Sequence, residues 1–196
     1  MTRLMLAASA SALLLAACGD NRADQDPVNA VQDAASAPVG QMSAATLGAN
    51  TPDAYVANAA MGDMYEIRAA ELALERSQNA EVRELAEMIR TDHTQASEAL
   101  RQAASQAAAN VEIPAELDER RQGLLDNLRA ATGAAFDQVY IDQQVAAHQE
   151  AVTLHEGFAD NTDAPQLAQH AAMVLPKIRM HLERAEALDD ASDATR

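Results

Sequence analysis

In the stretch Asn79–Leu100, NAEVRELAEMIRTDHTQASEAL, the residues Val82, Leu85, Ile89, His93, Ala96 and Leu100 recur at intervals of three and four. That spacing lays them on one face of an α-helix and leaves Glu and Arg on the other. Asn79 stands where an N-cap side chain accepts from the first turn. His93 occupies the centre of the apolar stripe, a place where leucine would serve. Two other segments repeat the pattern: QVAAHQEAV carries His148 and IRMHLERAE carries His181.

Helical spacing continues on both sides. Thr51 and Pro52 read as the start of a helix whose stripe is Val56, Ala60, Met64, Ile67 and Leu74. Gly133 opens a third helix with Phe136, Tyr140, Ala147, Leu154 and Phe158 on one face. Asp163 and Pro165 open a fourth, with Leu167, Ala171, Val174, Leu175, Ile178, Leu182 and Ala185 inward and Pro176 as an expected kink. No segment alternates as a strand would, and with aromatic residues at 3% the abundant alanine suits closely packed helices. The fold class is all-α.

The links decide the topology. Tight turns near Gln78–Asn79 and Asp160–Asp163 make two antiparallel hairpins. Between them runs NVEIPAELDERRQGLLDNLRAATG, whose own amphipathic segment spans about Pro114 to Ala130. Such a link reaches about 40 Å, long enough to return to the other end of the bundle. A ferritin-like four-helix bundle with one long crossover and a short extra helix is the expected architecture, occupying residues 51–190 with a disordered tail at 191–196.

The N-terminus carries an address. A short basic start and the apolar run Leu4–Ala17 end in LAAC, which resembles the lipobox of bacterial lipoproteins. The resemblance implies cleavage after residue 17 and lipidation of Cys18, the only cysteine, so thiolate metal sites and internal disulfides are excluded. Residues 18–50, poor in large apolar side chains, read as a disordered tether with a reach on the order of 30 Å. Gly19 follows the cysteine where aspartate would signal inner-membrane retention, so the expectation is an exported protein anchored in the outer membrane and facing the periplasm. Removal of residues 1–17 takes away Arg3 alone among the charged residues and moves the net charge from −16 to −17. That charge argues against nucleic acid as a partner.

Three segments together carry a family resemblance: YEIRAAELALERSQNAEVRELAEMIRTDHTQASEAL, FDQVYIDQQVAAHQEAVTLHE and LPKIRMHLERAEAL. They resemble the domain of unknown function 4142 family, exported bacterial proteins placed among ferritin-like folds, over about Pro52 to Leu188. Glu66, Asp92, His93, Phe136, Asp137, Tyr140, His148, Pro176 and His181 match its pattern. The family implies a fold and a compartment but no activity.

Parallel second and third helices put His93 and His148 at one depth, and counting back through the first turn brings Glu66 to the same layer. His181 falls about 7 Å off that level. The residues three before the histidines are Arg90, Val145 and Ile178, so the Glu-x-x-His signature of di-iron bundles is missing and no di-iron centre is expected. Two readings remain open. One is a mononuclear zinc or copper site, or a small-ligand site, using Glu66, His93, His148 and His181, with Asp92 and Tyr140 as supports. The other is a buried polar network in an envelope lipoprotein with a structural, interaction or stress-related role. His155 and His170 read as surface or helix-end residues, and Met88, Met173 and Met180 as core filler. No nucleophile elbow, phosphate loop or paired catalytic carboxylate appears, which leans against an enzyme.

Overall fold

The computed structural model describes residues 27–45, 51–107 and 111–194; Cys18 and the leader lie outside them. Among the described residues six helices follow in order: α1 Pro27–Ser43, α2 Pro52–Arg76, α3 Ala80–Gln106, α4 Glu119–Ala130, α5 Gly133–Phe158 and α6 Pro165–Ala194. Their starts obey local rules. Thr51 accepts from Ala54 N ahead of Pro52, Asn79 accepts from Glu81 N, and Asp118 accepts from Arg121 N. Gly133 opens α5 with φ at +58°, a conformation costly to any residue with a Cβ.

Helices α2, α3, α5 and α6 form the bundle. Asp63 bonds His93 and Ser97, Tyr65 bonds Gln143, and Asp92 bonds Lys177 and His181. With the further pairs Tyr55–His155 and Glu84–Arg184, and the short turns joining α2 to α3 and α5 to α6, these pairings run adjacent helices of the bundle antiparallel and leave α3 and α5 parallel across the diagonal. The crossover through α4 follows from that, as expected. It begins as a helix at Glu119 rather than near Pro114, because Asp118 supplies the cap. Arg76 fastens its far end: the guanidinium donates to the carbonyls of Arg129 at 2.8 Å and Ala131 at 2.7 Å and lies 4.7 Å above the Phe136 ring.

Three expectations change. Residues 27–43, read as tether, are helical and lie on α4 and α5. In keeping with its composition, α1 brings no apolar stripe and exposes Val31, Val39 and Met42. Polar contacts hold it instead: Asp33 accepts from Asn127 and Gln143, and Gln41 accepts from Thr153. Gly40 allows the approach, for a Cβ there would stand 1.9 Å from Glu150 Oε2. Second, α2 is rotated from its expected stripe. Met64, Ile67 and Leu74 are half-buried, while Ala59, Asp63, Glu66, Ala70 and Ala73 face inward. The alanines admit a close neighbour, and the two acids meet histidines. Third, the tail is ordered as far as Ala194, within α6.

The apolar core lies in two clusters. One gathers Tyr65, Leu85, Ile89, Leu125, Phe136 and Tyr140; the other gathers Tyr55, Val56, Leu100, Leu154, Phe158 and Leu167. A polar layer separates them. Among the described residues no helix is long and apolar enough to cross a membrane.

Candidate metal centre

The polar layer is built by four helices. From α2 come Asp63 and Glu66, from α3 Asp92 and His93, from α5 His148 and from α6 His181. All three imidazoles are at most 3% exposed. Their ring centroids stand 5.5, 5.6 and 5.3 Å apart, and one nitrogen of each ring lies within 4.8 Å of the others.

His181, a candidate ligand whose level by residue count lay about 7 Å off, therefore joins the layer. Side chains on a helix lean toward its N-terminus. In the antiparallel pair α5 and α6 that tilt carries His148 away from the connecting turn and His181 toward it. The rings meet although their Cα atoms differ in level, and α6 runs on as a helix through Pro176.

Hydrogen bonds assign the tautomers. His148 Nδ1 lies 2.9 Å from the Gln144 carbonyl, which can only accept, so that nitrogen carries the hydrogen and Nε2 is a lone pair. His181 Nε2 lies 3.0 Å from Asp92 Oδ2 and donates to it, leaving Nδ1 as a lone pair. His93 Nδ1 donates to Asp63 Oδ1 at 2.8 Å, and its Nε2 has no partner. The three remaining nitrogens converge. His148 Nε2 and His181 Nδ1 stand 3.3 Å apart with no hydrogen to place between them.

Electrostatics favours neutral rings on α5 and α6. Burial, then the charge of His93 and His181, holds His148 well below the usual imidazole range. Burial and His93 bring His181 down to about 4, against the pull of Asp92. His93 goes the other way: burial would lower it, but the hydrogen bond and charge of Asp63, with Glu66 and Asp92, raise it. Asp92 is lowered because its bonds to Lys177 and His181 outweigh partial burial.

Glu66 stands outside the three mutual ligands. Its Oε1 is 3.8 Å from His148 Nδ1, neither oxygen has a hydrogen-bond partner, and burial raises the carboxyl to about 7. Tyr140 is fully buried with an unpartnered hydroxyl, so it bonds none of the imidazoles. Asp92 does support His181 as expected. Asp63 was missed, although its place one turn before Glu66, on the side of Ala59, Ala70 and Ala73, was readable. A cavity of about 270 Å³ roofed by α1 reaches Glu66, His93 and His148, and another of about 230 Å³ between α3 and α6 reaches His93 and His181.

The family model described as "Domain of unknown function (DUF4142)" matches residues 36–188, beginning inside α1. The chain belongs to this family. No curated protein and no solved structure matches it.

The DUF4142 domain holds a second buried histidine pair, which corrects another expectation. His155 and His170, read as surface or helix-end residues, are 4% and 3% exposed. Their Nδ1 atoms lie 3.0 and 2.7 Å from the Tyr55 hydroxyl. His170 Nε2 donates to the Ala96 carbonyl at 3.2 Å, so its Nδ1 accepts from Tyr55, whose oxygen accepts from His155 in turn. The signal was present in the spacing: His155 is seven residues after His148 and His170 eleven before His181, on the same helical faces. Met173 and Met180, read as core filler, are 56% and 44% exposed.

Proposed function

We propose that this domain binds one transition-metal ion at His93, His148 and His181, and that lipid on Cys18 holds it in the cell envelope. The observation that carries the metal reading is the convergence of three imidazole nitrogens, those of His148 and His181 being lone pairs, whose opposite nitrogens are each tied to a carboxylate or carbonyl. Outer partners of this kind orient metal-binding histidines and fix their tautomer. A tetrahedral ion with nitrogen ligands at about 2.0 Å spaces them about 3.3 Å apart. The His148–His181 pair already has that spacing, at 3.3 Å.

The Tyr55 network is the internal comparison. On the same helices, the facing nitrogens of His155 and His170 are joined through the Tyr55 hydroxyl, which accepts from one and donates to the other. A structural network looks like that, whereas in the three-histidine layer no such bridging group joins the facing nitrogens. Imidazole ligands suit zinc or copper(II), and an ion bound by three residues keeps a fourth position for water or a small molecule.

Calorimetric titration of the metal-free chain, purified without chelator, tests the reading. One zinc or copper(II) per chain is expected, with a stabilisation of about 2.7 kcal/mol once free metal exceeds the dissociation constant a hundredfold. His93→Ala and His148→Ala should each remove both effects, and His155→Ala should keep them. Absence of stoichiometric heat in the wild-type chain would reduce the cluster to a fastening between helices.

A further inference from the structure

Two of the three imidazoles, His93 and His181, can be approached from the seam between α3 and α6. The cavity there has His93 and His181 at its floor, 3% and 1% exposed, and Met173 at its mouth, 56% exposed. Across it Lys177 Nζ reaches Asp92 Oδ1 at 2.5 Å and Gln95 Oε1 at 3.1 Å. Asp92 is the residue that holds His181 in place.

Methionine is concentrated on this seam. Outside α1, the exposed large apolar side chains among the described residues are Met173 and Met180, both on α6. With Lys177 they fall at positions i, i+4 and i+7 of one helical face, and Met88, Asp92 and Gln95 repeat that spacing on α3. The contacts of Asp92 with Lys177 and of Glu84 with Arg184 set the antiparallel register. That register brings Met173 level with Gln95, and Met180 level with the half-buried Met88. Met173 lines the histidine-floored cavity and Met180 lies about two turns further along α6; hydrophobic burial explains neither exposed thioether. Thioether sulfur is a soft ligand that selects copper(I) over zinc. The opposite cavity has no sulfur in its lining.

We propose that the α3–α6 seam is a copper(I) uptake surface: Met180 and then Met173, which stands at the cavity mouth, hold the ion in turn, and it passes by His93 and His181 to the centre that His148 completes. The proposal rests on the three-histidine reading and names its metal. Copper stays copper(I) throughout, exchanging thioether for imidazole ligands. His148 and His181 need release no proton, because their hydrogens already point away to Gln144 and Asp92. Lys177 must leave Asp92 for the ion to pass, and it is 45% exposed and free to swing outward.

The test compares loading of the full chain, purified in detergent without chelator, by copper(I) from a chromophoric chelator under anaerobic conditions and by zinc(II). Met173→Leu with Met180→Leu keeps volume at exposed positions and should leave the fold intact. It should slow copper(I) loading by on the order of tenfold and leave zinc(II) loading within about twofold of wild type. Unchanged copper(I) loading, or equal slowing of both ions, would overturn the proposal. His148→Ala separates the two readings. Loss of tight binding of both ions supports the histidine centre, whereas retained tight copper(I) binding that still depends on the methionines removes the centre and leaves the surface.

Discussion

Tyr55→Phe removes one oxygen from the centre of the second histidine network and keeps the packing. The ring is fully buried and stacked on Phe158, with centroids 4.1 Å apart and planes within 11°. The missing hydroxyl had donated to His170 Nδ1 and accepted from His155 Nδ1. His155 can answer by moving its hydrogen to Nε2, on a ring that lines the cavity under α1. Two buried acceptors are then left without a donor. At about 1–3 kcal/mol for each orphaned group, the loss should be about 2–6 kcal/mol. Urea denaturation followed by circular dichroism in chelator reads this directly. With a slope near 2 kcal/mol per molar, the midpoint should fall by about 1–3 M. Zinc stoichiometry should be unchanged, because seven residues of helix separate His155 from His148, about 10 Å. A loss below about 0.5 kcal/mol would show that the closed chain of bonds contributes nothing, and with it the contrast that singles out the other three histidines would fail. Loss of zinc binding would refute the separation of the two sites.

Burial, then the charge of His170, brings His155 down to about 3, far below its unfolded value near 6.5. Its folded-state proton affinity is depressed, so stability is full above pH 6.5 and falls as the pH drops toward 3, by at most on the order of 5 kcal/mol. His155→Gln should flatten that acid limb in urea midpoints taken across the range, and an unchanged limb would assign it elsewhere. Gly40→Ala should drive a methyl group into the Glu150 carboxylate that Arg120 and Arg121 hold at 2.8 and 2.6 Å, loosening α1. Faster proteolysis within residues 27–43 and a loss of about 1–3 kcal/mol are expected, and a wild-type cleavage pattern would contradict the close packing. Cys18→Ser should abolish palmitate labelling and release the chain from membranes; equal labelling of that variant would end the lipoprotein reading.

Spacing along the chain was enough for the helices and their order. Val82, Leu85, Ile89, Ala96 and Leu100 are all buried as the α3 stripe requires, because a 3.6-residue period needs no partner to be read. The crossover was legible in the length of the link, and with it the shared depth of His93 and His148. Local spacing fails where inward-facing residues are small or polar. Helix α2 turned toward Ala59, Asp63 and Glu66, since its burial is set by the acids' partners and by how near α5 can come. Helix α1 has no stripe at all and was invisible for that reason.

The sequence by itself determined an all-helical chain, its four long helices, their topology and the shared level of His93 and His148. Only the tertiary structure decided which nitrogens face one another. That depends on side-chain tilt in antiparallel helices, which drew His181 to His148, and on Asp63, Asp92 and the Gln144 carbonyl, which fix the tautomers. It also decided that Glu66 stands beside the cluster, that His155 and His170 are buried around Tyr55, and that Met173 and Met180 face solvent. Each of these rests on the rotation of one helix about its axis relative to its neighbours, and packing across the bundle sets that angle.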